Sequence, residues 1–135
     1  MYKVGDTYSY KFTFTQDQVN KFAEVTGDFN PLHLDAEYAA NTPFKKPIVH
    51  GMLGASIFSN VLGTKFPGEG SVYLGQSLSF KRAMFVDVAY EALFEIVDIN
   101  ETKHIADIKV EIKNIDGRQK VHLDGIAQVM HSNLL

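Results

Sequence analysis

The sequence predicts an α+β fold in which one antiparallel sheet covers one buried helix. The stretch over residues 51–62 is apolar on most sides and ends before Gly63, which is typical of a buried helix. The second half instead alternates apolar and polar residues, as half-buried strands do. These strand segments are residues 71–80, 89–99, 104–112 and 121–130. Short connections, including an Asp116-Gly117 turn, favour antiparallel pairing, and the helix and the sheet can bury each other's apolar face.

The first part of the chain predicts one strand and two helices. Residues 8–14 alternate aromatic and polar side chains, which indicates a strand with one buried face. Thr15 and Gln18 have the spacing of a capping box, so a helix is expected to begin there and to end near Gly27. A short second helix is expected over residues 35–41.

Length and composition limit the kinds of function that the protein can have. The chain has 135 residues, which predicts a single domain over residues 1–135, and its 45% hydrophobic content argues against intrinsic disorder. The net charge of -3 makes nucleic acid an unexpected partner. The chain has no cysteine, which excludes disulfides and a cysteine nucleophile. No signal region and no run near the ~20 apolar residues of a membrane span are visible, so we expect a cytoplasmic protein.

The run D-F-N-P-L-H places a carboxylate, Asp28, five positions before an imidazole, His33. Pro31 disfavours a continuous helix here, and Asn30 before it is pushed towards extended geometry. An ordered turn could therefore let the two groups converge and deprotonate a water molecule. The alternative is that Asp28 caps the next helix and His33 is a half-buried structural residue, and the run alone favours that alternative.

Gly51 stands at the start of the predicted buried helix, where the first backbone N–H groups lack partners within the helix. Its N–H could stabilise an oxygen that gains negative charge, although this fragment alone favours a simple packing role. Further along the helix, Ser59 lacks a G-x-S-x-G setting, so it is not expected to be a nucleophile. It could still hydrogen-bond a substrate or orient a catalytic side chain.

Two other clusters carry weaker signals. Asp28, His33 and His50 could in principle bind a metal, but their spacing matches no familiar ligand pattern, so no metal is expected. Lys81 and Arg82 follow a strand and could meet a phosphate, although a solvated strand end is the commoner explanation.

Three blocks of sequence together carry a family resemblance. They are T-G-D-F-N-P-L-H-L-D at residues 26–35, P-I-V-H-G-M-L at residues 47–53 and Y-L-G-Q-S-L-S-F-K at residues 73–81. In their order and spacing they resemble the MaoC-like, (R)-specific enoyl-CoA hydratases. The resemblance implies the hot dog fold, in which a bent antiparallel sheet wraps around a long central helix. It also implies a homodimer with active sites at the subunit interface.

The resemblance further implies an activity and a set of site residues. The expected reaction is the reversible hydration of a trans-2-enoyl-CoA to the (3R)-3-hydroxyacyl-CoA, with coenzyme A as part of the substrate and no separate cofactor. Asp28 and His33 would be the catalytic pair, and the Gly51 N–H would bind the thioester carbonyl oxygen, with Ser59 and Asn30 in support. A hot dog thioesterase and a non-catalytic acyl-thioester-binding module are the competing interpretations.

One departure from the family pattern is visible. Many relatives carry a Gly-Asp pair before the strand that follows the third block, whereas residues 85–88 here read F-V-D-V. The missing glycine puts the local turn in question. The acyl chain length, the pathway and the choice between coenzyme A and acyl carrier protein are left open by the sequence.

Overall fold

The structure of the protein, a computed structural model that describes residues 1–135, is one six-stranded antiparallel sheet with four helices. The elements in chain order are β1 (Thr7–Phe12), α1 (Gln16–Thr26), α2 (Pro31–Leu34), α3 (Ala36–Ala40), α4 (Gly51–Thr64), β2 (Val72–Gln76), β3 (Ser79–Phe80), β4 (Tyr90–Asn100), β5 (Ile105–Asn114) and β6 (Val121–Met130). The strand order is β1-β4-β5-β6-β2, and β3 also pairs with β6. This arrangement confirms the predicted α+β class.

The core lies between the inner face of the sheet and one face of α4. Alternate residues of the three long strands point inward and are almost fully buried, as the period of a strand requires. They include Ala92, Phe94 and Ile96 of β4, Ala106, Ile108, Val110 and Ile112 of β5, and Leu123, Ala127 and Val129 of β6. Phe58 of α4 meets Phe94 edge to face, with ring centroids 5.9 Å apart, and so joins the helix to the centre of the sheet.

The helix α4 is buried on one side only. Its buried residues are Gly54, Ala55, Phe58, Val61 and Leu62, whereas Met52, Ser56 and Ser59 on the opposite side are exposed. The helix also continues through Gly63 to Thr64, so the predicted stop at Gly63 is wrong. Small residues on the outer side explain why this helix resembles a fully buried one in sequence. None of the four helices has both the length and the apolar character that crossing a bilayer requires.

The strand predicted over residues 71–80 is divided into β2 and β3. Ser77 lies so close to β6 that a Cβ on Gly125 would stand 1.7 Å from its carbonyl oxygen. There the N–H of Ser77 donates to the carbonyl oxygen of Ile126 at 2.9 Å, but the N–H of Ile126 donates in return to the hydroxyl of Ser77, also at 2.9 Å, and not to its carbonyl oxygen. Glycine at position 125 is what permits this close approach.

The segment around the D-F-N-P-L-H run is partly helical, which corrects the expectation of a non-helical turn. Gly27 ends α1 with a left-handed φ of 79°, as predicted. Pro31 then begins the one-turn helix α2 at its first position, where its missing N–H costs nothing. Asn30 is extended (φ -52°, ψ 121°), and its side chain accepts a hydrogen bond from the N–H of Leu32. His33 is thus held on a helical turn and Asp28 on the bend before it.

The turn that lacks the family's glycine is formed by Asp87. This residue adopts a φ of 61°, a left-handed conformation that aspartate tolerates better than most residues. Its N–H donates to the carbonyl oxygen of Phe14 at 2.8 Å, which ties the turn to the segment that follows β1. The chain therefore makes the turn before β4 without glycine.

Candidate functional site

A cavity of about 580 Å³ lies between α2, the amino end of α4 and strands β3 and β6. Asp28, His33 and Gly51 all line it, so the structure brings three of the predicted site residues to one place. Much of the remaining wall is apolar and comes from Phe44, Met84 and Leu123, among others. Such a mixture of apolar walls and a few convergent polar groups is typical of a small-molecule site.

Hydrogen bonds to its main chain and to its ring hold His33 in place. It is 8% exposed, and its main-chain oxygen accepts a hydrogen bond from the side chain of Gln16. The ring nitrogen Nδ1 lies 2.8 Å from the carbonyl oxygen of Ile48. A carbonyl oxygen can only accept, so Nδ1 carries the proton and the neutral ring keeps Nε2 free as a proton acceptor.

The surroundings of His33 favour its neutral form. Burial lowers the pKa of His33 below its ordinary value of 6.5, because the charged ring is poorly solvated there. The hydrogen bond to Ile48 opposes this shift, His50 adds to it and the carboxylate of Asp28 opposes it. The net effect is a lowered pKa, which leaves His33 ready to accept a proton near neutral pH.

Asp28 presents an exposed carboxylate beside the ring of His33. One of its carboxylate oxygens accepts a long hydrogen bond, 3.4 Å, from the N–H of Asn30. The cap of α2 is the side chain of Asn30, so the alternative in which Asp28 caps the helix is wrong. Asp28, His33 and His50 each offer one side-chain oxygen or nitrogen atom within 4.8 Å of the others. That distance is short enough for one water molecule to contact both the carboxylate and the imidazole.

His50 stands out in the structure far more than in the sequence. It is 2% exposed and stacks on His33 with ring centroids 3.9 Å apart, while Phe22 covers it at 4.8 Å. Its Nε2–H donates to the main-chain carbonyl oxygen of Asp28 at 3.0 Å. Its Nδ1 is buried and has no hydrogen-bond partner. In sequence, its place immediately before Gly51 is the only signal of this position.

The same three residues could each offer one ligand atom to a metal ion. His33 and His50 each use one ring nitrogen on a main-chain carbonyl oxygen. Each ring keeps one further nitrogen, and the two rings are tilted by 31° with centroids 3.9 Å apart. The expectation of no metal stays a prediction.

Gly51 begins α4 at the cavity wall. No side chain caps this helix, and the N–H groups of Gly51, Met52 and Leu53 have no protein partner. A Cβ at position 51 would lie 2.7 Å from the ring of Phe80, so the glycine also permits close packing. Both interpretations of Gly51 from the sequence therefore have structural support.

Ser59 is not brought to the Asp28–His33 pair within one chain. It lies eight residues beyond Gly51, about 12 Å further along the helix axis. There it lines a separate cavity of about 120 Å³ with Leu62 and Tyr73. The sequence spacing places Ser59 on the helix but does not tell which cavity it faces.

Phe80 lies at the wall of the catalytic cavity and not in the core. It is 56% exposed because β3 is short and ends at the rim of the cavity. Lys81 and Arg82 follow it along the same wall, and His122 faces them from β6.

Comparison with known proteins agrees with this geometry. The MaoC like domain family model matches residues 3–118. The (R)-specific enoyl-CoA hydratase of Aeromonas caviae is 48% identical over 110 residues, which are 82% of each chain. A mitochondrial 3-hydroxyacyl-[acyl-carrier-protein] dehydratase of Arabidopsis thaliana is 34% identical over 133 residues, which are 98% of this chain and 79% of the relative.

The solved structure of the (R)-hydratase of A. caviae involved in PHA biosynthesis superposes with a TM-score of 0.91 and 43% identity. The match covers 96% of this chain and 97% of that one. The sheet order, the central helix and this likeness confirm the hot dog fold. On its sequence and on its fold, the chain belongs to the MaoC-like domain family.

Proposed function

We propose that the protein is an (R)-specific enoyl-CoA hydratase that adds water to a trans-2-enoyl-CoA and gives the (3R)-3-hydroxyacyl-CoA, reversibly. One observation carries the proposal. The carboxylate of Asp28 and the free Nε2 of His33 share a cavity with the unpartnered amide groups at the start of α4. This combination provides a base for water and a donor for an oxygen that becomes negatively charged.

In the first step, Asp28 and His33 hold one water molecule on one face of the enoyl thioester. The water oxygen bonds to C3 as the pair takes a water proton, and the electrons of the double bond move towards the thioester oxygen. We treat the pair as one coupled unit in this proton transfer. General acid–base help of this kind is worth about 10²–10⁴-fold in rate.

In the second step, the enolate-like oxygen is stabilised by the N–H of Gly51 and by the positive end of α4. One such donor typically contributes about 3 kcal/mol to the transition state. The pair then returns the proton to C2 from the face on which the hydroxyl was added. The water is consumed completely, because its hydroxyl ends on C3 and its proton on C2, so the reaction needs no cofactor beyond the coenzyme A of the substrate.

Asn30 and Ser59 have supporting roles in this proposal. Asn30 caps α2 and donates its N–H to Asp28, so it orients both members of the pair. The role of Ser59 stays a prediction, because Ser59 lines the second cavity along α4. The hydratase activity of the variant Ser59→Ala tests this supporting role.

We further propose that the protein is one domain that acts as a homodimer in the cytoplasm. The edge strand β2 supports the dimer, because Val72 and Leu74 are each 46% exposed on it and an unpaired apolar edge invites pairing. Light scattering should give twice the chain mass of 15.1 kDa, and Leu74→Lys should reduce it towards one. A wild-type protein that stays monomeric at micromolar concentration would contradict this part of the proposal.

The test of the activity uses crotonyl-CoA and longer trans-2-enoyl-CoAs. A hydratase removes the absorbance of the conjugated thioester and releases no thiol. A thioesterase releases free coenzyme A, which a thiol reagent detects, and a binding module produces neither signal. Thiol release at the rate of absorbance loss would replace the hydratase proposal with the thioesterase.

A further inference from the structure

The turn that carries Asp28 and His33 meets the segment that leads into α4, and two imidazole rings join them. The ring of His33, on the turn, donates from Nδ1 to the carbonyl oxygen of Ile48 at 2.8 Å. The ring of His50, on the other segment, donates from Nε2 to the carbonyl oxygen of Asp28 at 3.0 Å. Each segment therefore supplies one ring and one carbonyl oxygen to the other, and the two hydrogen bonds are reciprocal.

The two rings also contact each other. His33 and His50 stack with centroids 3.9 Å apart and a tilt of 31°. Phe22 of α1 packs against His50 at a centroid distance of 4.8 Å. His50 is therefore buried, whereas the side chain whose main chain it holds, Asp28, is exposed to the cavity. The ring has one fixed orientation because its hydrogen bond and its two aromatic contacts act together.

The second nitrogen of the His50 ring takes no part in the site. A neutral imidazole carries one proton, so donation from Nε2 leaves Nδ1 as a lone pair. Nδ1 is buried and has no hydrogen-bond partner. An unsatisfied buried nitrogen costs stability, and a nitrogen without solvent access cannot take a proton from a water molecule in the cavity. The property that distinguishes His50 from an apolar residue is thus its hydrogen bond to Asp28.

The main chain of His50 places the amide group that follows it. His50 directly precedes α4, and its carbonyl oxygen accepts the first hydrogen bond of that helix, from the N–H of Gly54 at 3.1 Å. The next amide along the chain is that of Gly51, the proposed donor to the thioester oxygen. A single residue therefore connects the segment of the carboxylate, the ring of the base and the start of α4.

We propose that His50 is a positioning residue, whose ring holds the main chain of Asp28 in place relative to His33 and to the start of α4. This inference rests on the proposed hydratase activity. His50 acts on the reaction through Asp28 and not on the water itself. Because the hydrogen bond goes to the main chain of Asp28, the carboxylate remains available to the water.

The first test uses the reach of amide side chains. In His50→Gln the amide nitrogen can occupy the place of Nε2, whereas in His50→Asn it reaches only the place of Nδ1 and leaves the carbonyl oxygen of Asp28 without this donor. We expect His50→Asn to lower kcat by roughly 10- to 100-fold with KM little changed, because a misplaced catalytic group costs rate. His50→Gln should recover most of that loss. Both variants should bind butyryl-CoA, which lacks the double bond, as tightly as the wild type does.

A second variant and a control separate position from packing. In His50→Phe the new ring fills the space and can stack on His33, but it donates nothing to Asp28, so kcat should fall as in His50→Asn. The matched control is His131→Asn. His131 is also buried, and its Nε2–H donates to the carbonyl oxygen of Glu69 at 2.8 Å, beyond the end of β6 that is remote from the cavity. The control should lose stability and keep the wild-type kcat.

A readout without substrate separates this inference from the proposed activity. Nitrogen NMR of the protein labelled with ¹⁵N-histidine shows which ring nitrogen carries the proton, and we expect Nδ1 for His33 and Nε2 for His50. A proton on Nδ1 of His50 would overturn the inference, whatever the protein catalyses.

The kinetic outcomes are equally distinct. A wild type that hydrates no enoyl thioester refutes the activity, and with it the catalytic role of His50, while the protonation of the rings stays as stated. If the wild type is active, a wild-type kcat in folded His50→Asn or His50→Phe overturns the inference alone. Equal losses in folded His50→Asn and His50→Gln, or the same loss in His131→Asn, do so as well.

Discussion

The change Asp28→Asn removes the proposed base and leaves its surroundings almost unaltered. The asparagine side chain keeps an oxygen that can accept the long hydrogen bond from Asn30. The hydrogen bond from His50 goes to the main chain of residue 28, so it is unaffected by the side chain. The variant should therefore differ from the wild type mainly in its ability to take a proton from water.

The expected loss follows from this role. General acid–base catalysis contributes about 10²–10⁴-fold, or roughly 3–5 kcal/mol, and kcat should fall by that factor. The carboxylate is exposed and its one hydrogen bond is long, so the free energy of unfolding should change by about 0.5 kcal/mol or less. The assay is the loss of the crotonyl-CoA absorbance, combined with a thermal unfolding curve.

Asp35→Asn is the matched control for this variant. Asp35 caps α3 by accepting the N–H of Tyr38 at 3.0 Å, and asparagine caps helices about as well. The control removes the same charge outside the catalytic cavity, and it should keep wild-type activity. Wild-type turnover in Asp28→Asn, or an equal loss in Asp35→Asn, would refute the assignment of Asp28.

Three further predictions concern pH and stability. The neutral ring of His33 must accept a proton, and burial is the main cause that lowers its pKa. Therefore kcat/KM should fall on the acid side with a midpoint below pH 6.5. A midpoint at or above pH 6.5 would be inconsistent with the buried ring. Gly125→Ala should lower the free energy of unfolding by about 3 kcal/mol, because its Cβ would stand 1.7 Å from the main-chain oxygen of Ser77. An unchanged Tm would show that the Ser77 segment moves away from β6 at little cost. Thr15→Ala should cost about 1 kcal/mol in urea unfolding through loss of the capping box, and an unshifted midpoint would count against that cap.

The long strands could be predicted from the sequence because each has one buried face. The predicted range 121–130 coincides with β6, and β4 and β5 differ from their predicted ranges by at most two residues. Even the irregular alternation of β5 has a simple cause. Ala106, not Ile105, takes the core position, and Ile105 is only partly buried.

Features that depend on distant parts of the chain were not predictable. The break between β2 and β3 arises from the approach of Ser77 to Gly125, which are 48 positions apart in the chain and adjacent only in the sheet. The exposure of Phe80 follows from the same break, because apolar alternation alone cannot distinguish a core residue from a cavity wall. A helix buried on one side also resembles a fully buried one when its outer residues are small.

The candidate site likewise has features that the sequence predicts and features that only the structure shows. The D-F-N-P-L-H run and the glycine that begins α4 predict which groups meet, because turns and helix starts are local features. His50 stacks on His33, and each ring donates one N–H to a main-chain carbonyl oxygen. Both features depend on tertiary contacts. The sequence therefore identifies the pair, and the structure identifies what surrounds it.

The most direct measurement of the central claim is the stereochemistry of hydration in ²H₂O. With crotonyl-CoA as substrate, the product should be (3R)-3-hydroxybutyryl-CoA that carries deuterium at C2 on the same face as the new hydroxyl. This outcome is expected because one Asp28–His33 pair both activates the water and returns the proton. A (3S) product would mean that the water attacks the other face of the substrate, and deuterium on the face opposite the hydroxyl would require a second proton donor across the substrate. Either result would contradict the account.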